Sequence, residues 1–263
     1  MPGLTIGLIL GSVLVTATIS GVFGMAGGLI MKGVLVSLMP VAASMVLHGF
    51  IQLTSNLSRA VLLARHIAWR IVGRYALGAA TGVGVLMVLG WRPGQTTVFF
   101  LLGLTALVVL APQKVIAMDA SRPWQSELSG FLVQLFNTLA GVAGPLLDVF
   151  FVKTEMTRQT VVATKAATQV LAHAVKIAFW GGAILATTGA DVGESGLPPT
   201  WLFIAVVPLS LAGTWAGGKA LDRMSDVGFR SWTKWIVAGT GVVYLVRGFA
   251  ALLAPQIAGL AAH

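Results

Sequence analysis

Residues 24–29 of the chain read GMAGGL, and residues 141–146 read GVAGPL, a second copy that lies 117 positions further on. Glycine lets a backbone turn sharply or approach another segment closely, so we interpret each copy as a break between two helices. Because the break occurs twice, the chain is predicted to consist of two repeats. We place the first repeat at residues 1–118 and the second at residues 119–263, as parts of one integrated domain.

Each break is followed, in the same register, by a row of polar side chains. The rows are His48, Gln52, Asn56 and Arg59 in the first repeat and Lys165, Gln169, His173 and Lys176 in the second. Spacings of four, four and three residues place each row on one face of a helix. Since both rows run through apolar sequence, we predict that they form two half-sites of one polar cavity. The last residue of each row is expected near a helix end, where long basic side chains reach towards the interface.

The composition is that of a membrane protein. Hydrophobic residues make up 57% of the chain and charged residues only 10%, whereas about a quarter of the residues in soluble domains are charged. Eight long apolar segments cover residues 4–23, 41–64, 71–90, 96–116, 128–142, 156–181, 201–219 and 232–253. Most reach the ~20 residues that span a bilayer. We therefore predict an all-α polytopic membrane protein with about four long helices and one short, broken helix per repeat.

The net charge of +9 does not indicate a nucleic-acid partner, because the basic residues lie beside hydrophobic segments and form no stripe or arm. Basic cytoplasmic loops explain this charge. The absence of cysteine excludes disulfides and thiolate metal sites, and we expect neither a metal nor a cofactor. The sequence contains no P-loop, HExxH or GxSxG motif, so we expect no enzyme. The N-terminus lacks a basic region and a cleavage site, so we interpret it as the first membrane helix.

The topology depends on the two short segments after the breaks, residues 29–39 and 146–153. If both cross the membrane, each repeat makes five passes, and the repeats are inverted. The basic connections at 65–74, 114–122, 153–158 and 219–234 then all face the cytoplasm, while Asp191 and Glu194 face outwards. If the short segments turn back, the repeats are parallel. We favour the inverted arrangement, although an eleven-residue helix of ~16 Å covers only half a hydrocarbon core.

The predicted cavity is rich in hydrogen-bond donors and poor in negative charge, which favours an anion. Exposed N–H groups at the two breaks would add partial positive charge. The predicted substrate-binding residues are Gly27, Gly28, His48, Gln52, Asn56, Gly144, Lys165, Gln169 and His173. The alternative is that the amides and histidines only join neighbouring helices.

Two charged residues in the short segments, Lys32 and Asp148, need partners or water inside a membrane. We assign both to charge balance or coupling. Asp148 either neutralises Lys32 or Lys165 in an ion pair or exchanges protons as part of a relay.

The chain resembles the sulfite exporter TauE/SafE family of bacterial membrane proteins. The resemblance rests on GVFGMAGGLI at residues 21–30, AGVAGPLL at residues 140–147 and the two helices with polar rows, and it covers essentially the whole chain. It implies export or uptake of sulfite, sulfoacetate or a related sulfonate across the bacterial cytoplasmic (inner) membrane. Lys32 and Asp148 depart from the family pattern, in which the short segments are expected to be mostly apolar.

We therefore expect a secondary transporter, an exporter of a small sulfur-containing anion that binds between the repeats at mid-membrane and is exposed to each side in turn. Two other functions stay open. A passive anion channel would use the same lining, and a non-transporting membrane scaffold would need the polar rows only to hold helices together. The expected partners are the anion and the lipid bilayer. The glycines and alanines of residues 71–90 leave room for a homodimer interface.

Overall fold

The computed structural model describes residues 1–188, 196–221, 223–224 and 226–260, which form a helical bundle. The α-helices of this described part are α1 (Gly3–Phe23), α2 (Ala26–Leu38), α3 (Val41–Leu62), α4 (Trp69–Leu89), α5 (Gln95–Leu107), α6 (Gln113–Ile116), α7 (Pro123–Leu139), α8 (Gly144–Val149), α9 (Arg158–Thr188), α10 (Thr200–Leu221) and α11 (Asp226–Leu260). Short 3-10 helices follow α3 and α5.

The predicted all-α membrane fold is confirmed. Five of the described helices are long and apolar enough to cross a membrane, namely α1, α4, α9, α10 and the Ser231–Ala254 part of α11. Large apolar side chains cover the outside of the bundle, for example Leu62 with 82% and Val88 with 88% of its surface exposed. Such a surface is stable against lipid and unfavourable against water. We conclude that the chain is a multi-pass membrane protein.

Two predicted segments end earlier than the sequence indicated. The segment predicted at residues 96–116 is divided, because α5 ends at Leu107 and a 3-10 helix leads to Pro112. Proline has no N–H to continue a helix and pushes the residue before it out of helical geometry. The second short segment, predicted at residues 146–153, is a helix of six residues, α8, while its counterpart α2 has 13 residues.

Both predicted breaks occur at glycines with positive φ. The φ angle is 65° at Gly24, between α1 and α2, and 93° at Gly141, between α7 and α8. Residues with a Cβ atom rarely adopt this region, so glycine fits both positions. The chain therefore turns at corresponding positions, Gly24 and Gly141, in the two halves.

The two halves of the chain are interleaved. The main packing partner of α1 is α10, that of α4 is α7, that of α3 is α9 and that of α5 is α11. Glycines allow the backbones to touch at these crossings. A Cβ atom at Gly78 would lie 1.8 Å from the Glu127 carbonyl oxygen, and one at Gly130 would lie 1.9 Å from that of Tyr75. Close approach of this kind holds helices together where lipid removes the hydrophobic driving force.

The central pair, α3 and α9, runs antiparallel. His48 in the first half of α3 contacts Lys176, far along α9, whereas Ala68 beyond the end of α3 bonds to Thr164 near the start of α9. The pair α5 and α11 is antiparallel too, since Gly103 approaches Leu245 and Gly248 approaches Phe100.

In contrast, α1 and α10 run parallel, because Gly213 lies against Ala17 and Gly217 against Gly21. The inverted arrangement predicts this combination of directions. Parallel repeats would make α3 and α9 parallel as well. The repeat relation between the halves, with its boundary near residue 118, stays a prediction.

Several basic connections lie at one end of the bundle. The amide of Met118 bonds to the Val149 carbonyl at 2.9 Å, and the amide of Lys153 bonds to the Met118 carbonyl at 3.1 Å. Ala68 belongs to the connection after α3 and bonds to Thr164, near the start of α9, so this connection lies on the same side. We name this side the basic end and the opposite side the far end. Asp191 and Glu194, which were expected to face outwards, lie outside the described residues.

Candidate functional site

The two polar rows face each other where α3 crosses α9. A cavity of about 30 Å³ lies between them, which is room for about two water molecules. Its lining comes from both halves of the chain and consists of Gly24, Met25, Gly28, His48, Gln52, Asn56, Arg59, Val142, Gly144, Gln169 and His173. The crossing therefore forms one shared hollow from residues that are far apart in sequence.

The lining presents mainly hydrogen-bond donors. Two buried nitrogens, Nε2 of Gln169 and Nδ1 of His173, have no hydrogen-bond partner in the described part of the chain. The side chain of Gln52 lies against Gly28, where an added Cβ atom would be 3.0 Å from Nε2 of the amide. Arg59 lines the same cavity and donates to the Ser20 carbonyl at 3.3 Å. The described lining contains a cation and amides but no carboxylate, so it suits an anion.

The far end of the cavity is closed by a chain of hydrogen bonds. Nε2 of His48 lies 2.9 Å from the Gly28 carbonyl oxygen, and Nδ1 lies 2.9 Å from Nζ of Lys176. Lys176 also donates to the Gly141 carbonyl at 2.7 Å. A carbonyl can only accept, so Nε2 of His48 carries the hydrogen and Nδ1 accepts from Lys176. This chain joins α2 and α3 of the first half to α9 and the second break.

The expected position of Lys176 near a helix end is wrong. Helix α9 continues to Thr188, so Lys176 lies well inside it, and its side chain is completely buried. The predicted segment ended at residue 181, which placed Lys176 too close to the end. Arg59, by contrast, does lie in the last turn of α3.

A second buried lysine, Lys32, lies on the same side of the cavity. It is completely buried, and its Nζ donates to the Ser44 hydroxyl at 2.6 Å. Its side chain passes Gly141 so closely that a Cβ atom there would lie 2.5 Å from Cε of Lys32. Of the two lysines predicted as ion-pair partners of Asp148, Lys32 is not the one that it contacts; its partner is Lys165.

The end of the cavity that faces the basic end leads into a wider space. Asp148 forms an ion pair with Lys165, and their side chains are 47% and 22% exposed. Together with Asn56, Arg59 and Val162 they line a space of about 240 Å³. Because this space shares Asn56 and Arg59 with the cavity, we name it the vestibule. The structure thus contains the ion pair of Asp148 with Lys165, while a proton relay through Asp148 stays a prediction.

Most of the predicted substrate-binding residues come together. Gly28, His48, Gln52, Asn56, Gly144, Gln169 and His173 line the cavity, and Lys165 lies in the vestibule. Gly27 is not in the lining, because it packs α2 against α1, where a Cβ atom would lie 1.9 Å from the Thr16 carbonyl oxygen. What these residues bind stays a prediction.

The predicted set of substrate-binding residues lacks five residues of the site: Gly24, Met25, Arg59, Val142 and Lys176. Arg59 and Lys176 were predicted as members of the polar rows, but their expected places near helix ends kept them out of that set, and Gly24 is the first glycine of the first break. Met25 and Val142 are apolar and directly follow the break glycines, and no chemical signal in the sequence distinguishes them. Among the described residues, no group of three or more His, Asp or Glu could hold a metal ion.

Comparison with known proteins identifies a family. The sequence model of the sulfite exporter TauE/SafE family matches residues 8–244, which include both breaks and both polar rows. No curated protein and no solved structure matches the chain.

Proposed function

Because the chain belongs to the sulfite exporter TauE/SafE family, whose members are membrane transporters, we propose that it is a secondary transporter that exports a small sulfur-containing anion. The anion is sulfite or an organosulfonate, and the membrane is the bacterial cytoplasmic (inner) membrane. The observation that carries the proposal is the cavity at the α3 and α9 crossing, which has donors from both halves and no carboxylate in its described lining.

The lining matches the chemistry of a sulfur oxyanion. Three oxygens that share negative charge accept several hydrogen bonds, and a guanidinium such as that of Arg59 can donate two of them in parallel. Gln169 and His173 supply buried nitrogens without a partner in the described part of the chain. Burying such groups is costly unless they are bonded, so an anion that accepts from them is favoured.

The vestibule gives an anion from the cytoplasm access to the cavity, as export requires. It opens at the basic end, and basic connections face the cytoplasm by the positive-inside rule. An anion that enters from the cytoplasm therefore meets Lys165 and Arg59 before it reaches the cavity. At the far end, the bond between His48 and Lys176 closes the way out.

The small size of the cavity favours a carrier over an open channel. Its free volume of about 30 Å³ cannot hold an ion with its water shell. The helices must separate before an anion passes, as in alternating access around a site between two halves. A carrier saturates and exchanges substrate, whereas a channel gives ohmic single-channel currents.

The decisive experiment is sulfite flux into liposomes that contain the purified protein. We expect Gln52→Ala and Gln169→Ala each to lower the flux by roughly ten- to a hundredfold, because a hydrogen bond to a charged group contributes about 1.5–3 kcal/mol. Thr54→Ala is the matched control on α3, since this hydroxyl bonds to Phe50 of its own helix and does not line the cavity. Unchanged flux in both glutamine variants would place the binding site elsewhere. If the parent protein itself shows no flux, the transporter proposal is wrong and the non-transporting scaffold is favoured.

A thermal-shift screen tests the substrate class. Sulfite, sulfate, thiosulfate, acetate and sulfonates are added separately to the detergent-solubilised protein, because a ligand that binds only the folded state raises its melting temperature. We expect sulfite or a sulfonate to stabilise the protein more than acetate does. Equal shifts for all the anions would contradict selectivity for sulfur oxyanions.

A further inference from the structure

Two lysines beside the cavity are completely buried and meet at one backbone position. Lys176 donates to the Gly141 carbonyl, and the side chain of Lys32 passes directly beside Gly141. The carboxylates in ion pairs of the described chain are bonded elsewhere, at Arg74, Arg122 and Lys165. No described carboxylate lies within 4.0 Å of either buried amine. The pair therefore lacks a fixed countercharge within the described part of the protein.

Within the described part of the chain, no acidic group faces Lys176 either. The titratable groups that face it are His48 from α3, His173 from its own helix and Lys32 from α2. On the side of α7, the groups bonded to α9 are uncharged: the amides of Gln134 and Asn137 donate to the Ala172 carbonyl, and the Thr138 and Gly141 carbonyls accept from Trp180 and Lys176. The Ala68 amide, directly before α4, bonds to Thr164 near the opposite end of α9.

The hydrogen bonds of Lys176 match those of an uncharged amine. A neutral lysine amine has two N–H donors, and those of Lys176 are both used, by Nδ1 of His48 and the Gly141 carbonyl. A protonated amine has a third donor and a full charge. Burying such a charge without a partner costs several kcal/mol, and two neighbouring cations repel each other in addition. An anion in the cavity removes this penalty, because it supplies the missing negative charge.

We propose that Lys32 and Lys176 form a proton-accepting pair, and that an anion entering the cavity draws one proton from water onto this pair. The inference rests on the proposed function, since it needs an anion in the cavity. The proton adds to the lone pair of one amine and gives an ammonium group, and it returns to water when the anion leaves. His48 links anion binding to protonation of the lysine pair, because it lines the cavity and bonds to Lys176. The transporter then moves its anion together with a proton.

The test is calorimetric titration of the purified protein with sulfite and with methanesulfonate. Methanesulfonate stays fully ionised at neutral pH, so protons taken up with it belong to the protein. The titrations are repeated in buffers with different ionisation enthalpies, which yields the number of protons bound per anion. Linkage predicts uptake of about one proton per anion and an affinity that falls as pH rises. Lys176→Met and Lys32→Met should each reduce the uptake by at least half.

Lys219→Met is the control, because Lys219 is exposed and lies over the Trp215 ring at 3.8 Å, away from the cavity. It should keep the full proton uptake. Lys176→Gln, which can still donate to the Gly141 carbonyl, separates loss of the proton from loss of the bond. Binding without proton uptake in the parent protein overturns this inference and leaves the proposed function intact, as does full uptake in both methionine variants. No binding of either anion overturns both.

Discussion

The crossing of α3 and α9 has two ends, formed by positions that correspond in the predicted repeat, yet only one of them is closed. Positions 48 and 176 meet at the far end, and positions 59 and 165, their counterparts at an offset of 117, flank the vestibule at the basic end. At the far end, His48 and Lys176 are completely buried and bonded to each other. At the basic end, Lys165 is 22% exposed and pairs with Asp148. Equivalent positions thus adopt two different states in one molecule.

The difference follows from the lengths of the two short helices. Helix α2 has 13 residues, so it carries Gly28 and Lys32 against the far end of the crossing. Tyr244 of α11 ties it there by donating to the Leu29 carbonyl at 2.6 Å. Helix α8 has only six residues and leaves the vestibule open beside it. If transport exchanges the states of the two ends, an anion is exposed first to one side and then to the other.

The largest expected effect comes from replacing the two break glycines by alanine. Gly24 and Gly141 both have positive φ, so each alanine strains the backbone by about 1–3 kcal/mol. Only at Gly141 would the new Cβ atom also press against a side chain, that of Lys32. We expect Gly141→Ala to destabilise the protein by roughly a further 1–3 kcal/mol, since overpacking a tight site costs about that much.

Unfolding of both alanine variants in mixed detergent and dodecyl sulfate micelles measures this difference. Gly24→Ala serves as the matched control, because among the described residues no atom beyond the immediate chain neighbours lies within 4 Å of a Cβ added at Gly24. Equal losses of stability would mean that the far end is no more tightly packed than the basic end.

The next effect concerns charge at the open end. Lys165→Met should lower sulfite flux about tenfold, because the vestibule loses a cation that an entering anion meets first. The loss of stability should be small, since a partly exposed ion pair contributes about 0–1 kcal/mol. Asp148→Asn should act in the opposite direction and tighten sulfite binding, because it releases Lys165 from its partner. Lower flux at high salt in the parent protein, without a change in Lys165→Met, would support the same electrostatic cause.

Much of this architecture could be predicted from the sequence, because the length of an apolar run and the presence of glycine determine local structure without tertiary contacts. Apolar runs of about twenty residues identified the membrane helices, and GMAGGL and GVAGPL located both breaks. The equal spacing of the two polar rows also predicted that they share a cavity, since residues such as Gln52 and Gln169 occupy corresponding faces. These features depend on composition and periodicity, which can be read without knowing any tertiary contact.

The remaining features depend on tertiary contacts. Gly27 and Gly28 are adjacent in sequence, yet one packs against α1 and the other faces Gln52. No sequence rule distinguishes them. Likewise, Lys176 has a flexible side chain, and its burial depends on where α9 ends and on how close Gly141 comes. The partner of Asp148 was equally open, because the short helix α8 decides which lysine it reaches.

Accessibility can test the two ends directly, because the chain contains no cysteine and single cysteines need no altered background. Val162→Cys places a thiol in the vestibule, and Ser44→Cys places one beside buried Lys32. We expect a membrane-impermeant thiol reagent to label position 162 from the cytoplasmic side at least roughly tenfold faster than position 44, since thiolate reactivity needs solvent access. Faster labelling of position 162 from the outside would reverse the assigned orientation.

The smallest expected effect separates packing at the basic end from transport. The Thr164 hydroxyl accepts a hydrogen bond of 3.0 Å from the Ala68 amide, whereas the corresponding position at the far end, Leu47, is apolar and completely buried. Thr164→Val preserves the shape and removes this bond, so it should cost about 1 kcal/mol of stability. Sulfite flux should stay near that of the parent protein, because Thr164 lines neither the cavity nor the vestibule. A flux loss as large as that of Lys165→Met would instead mean that transport depends on the hydrogen bond between Ala68 and Thr164. The start of α9 would then take part in the conformational change.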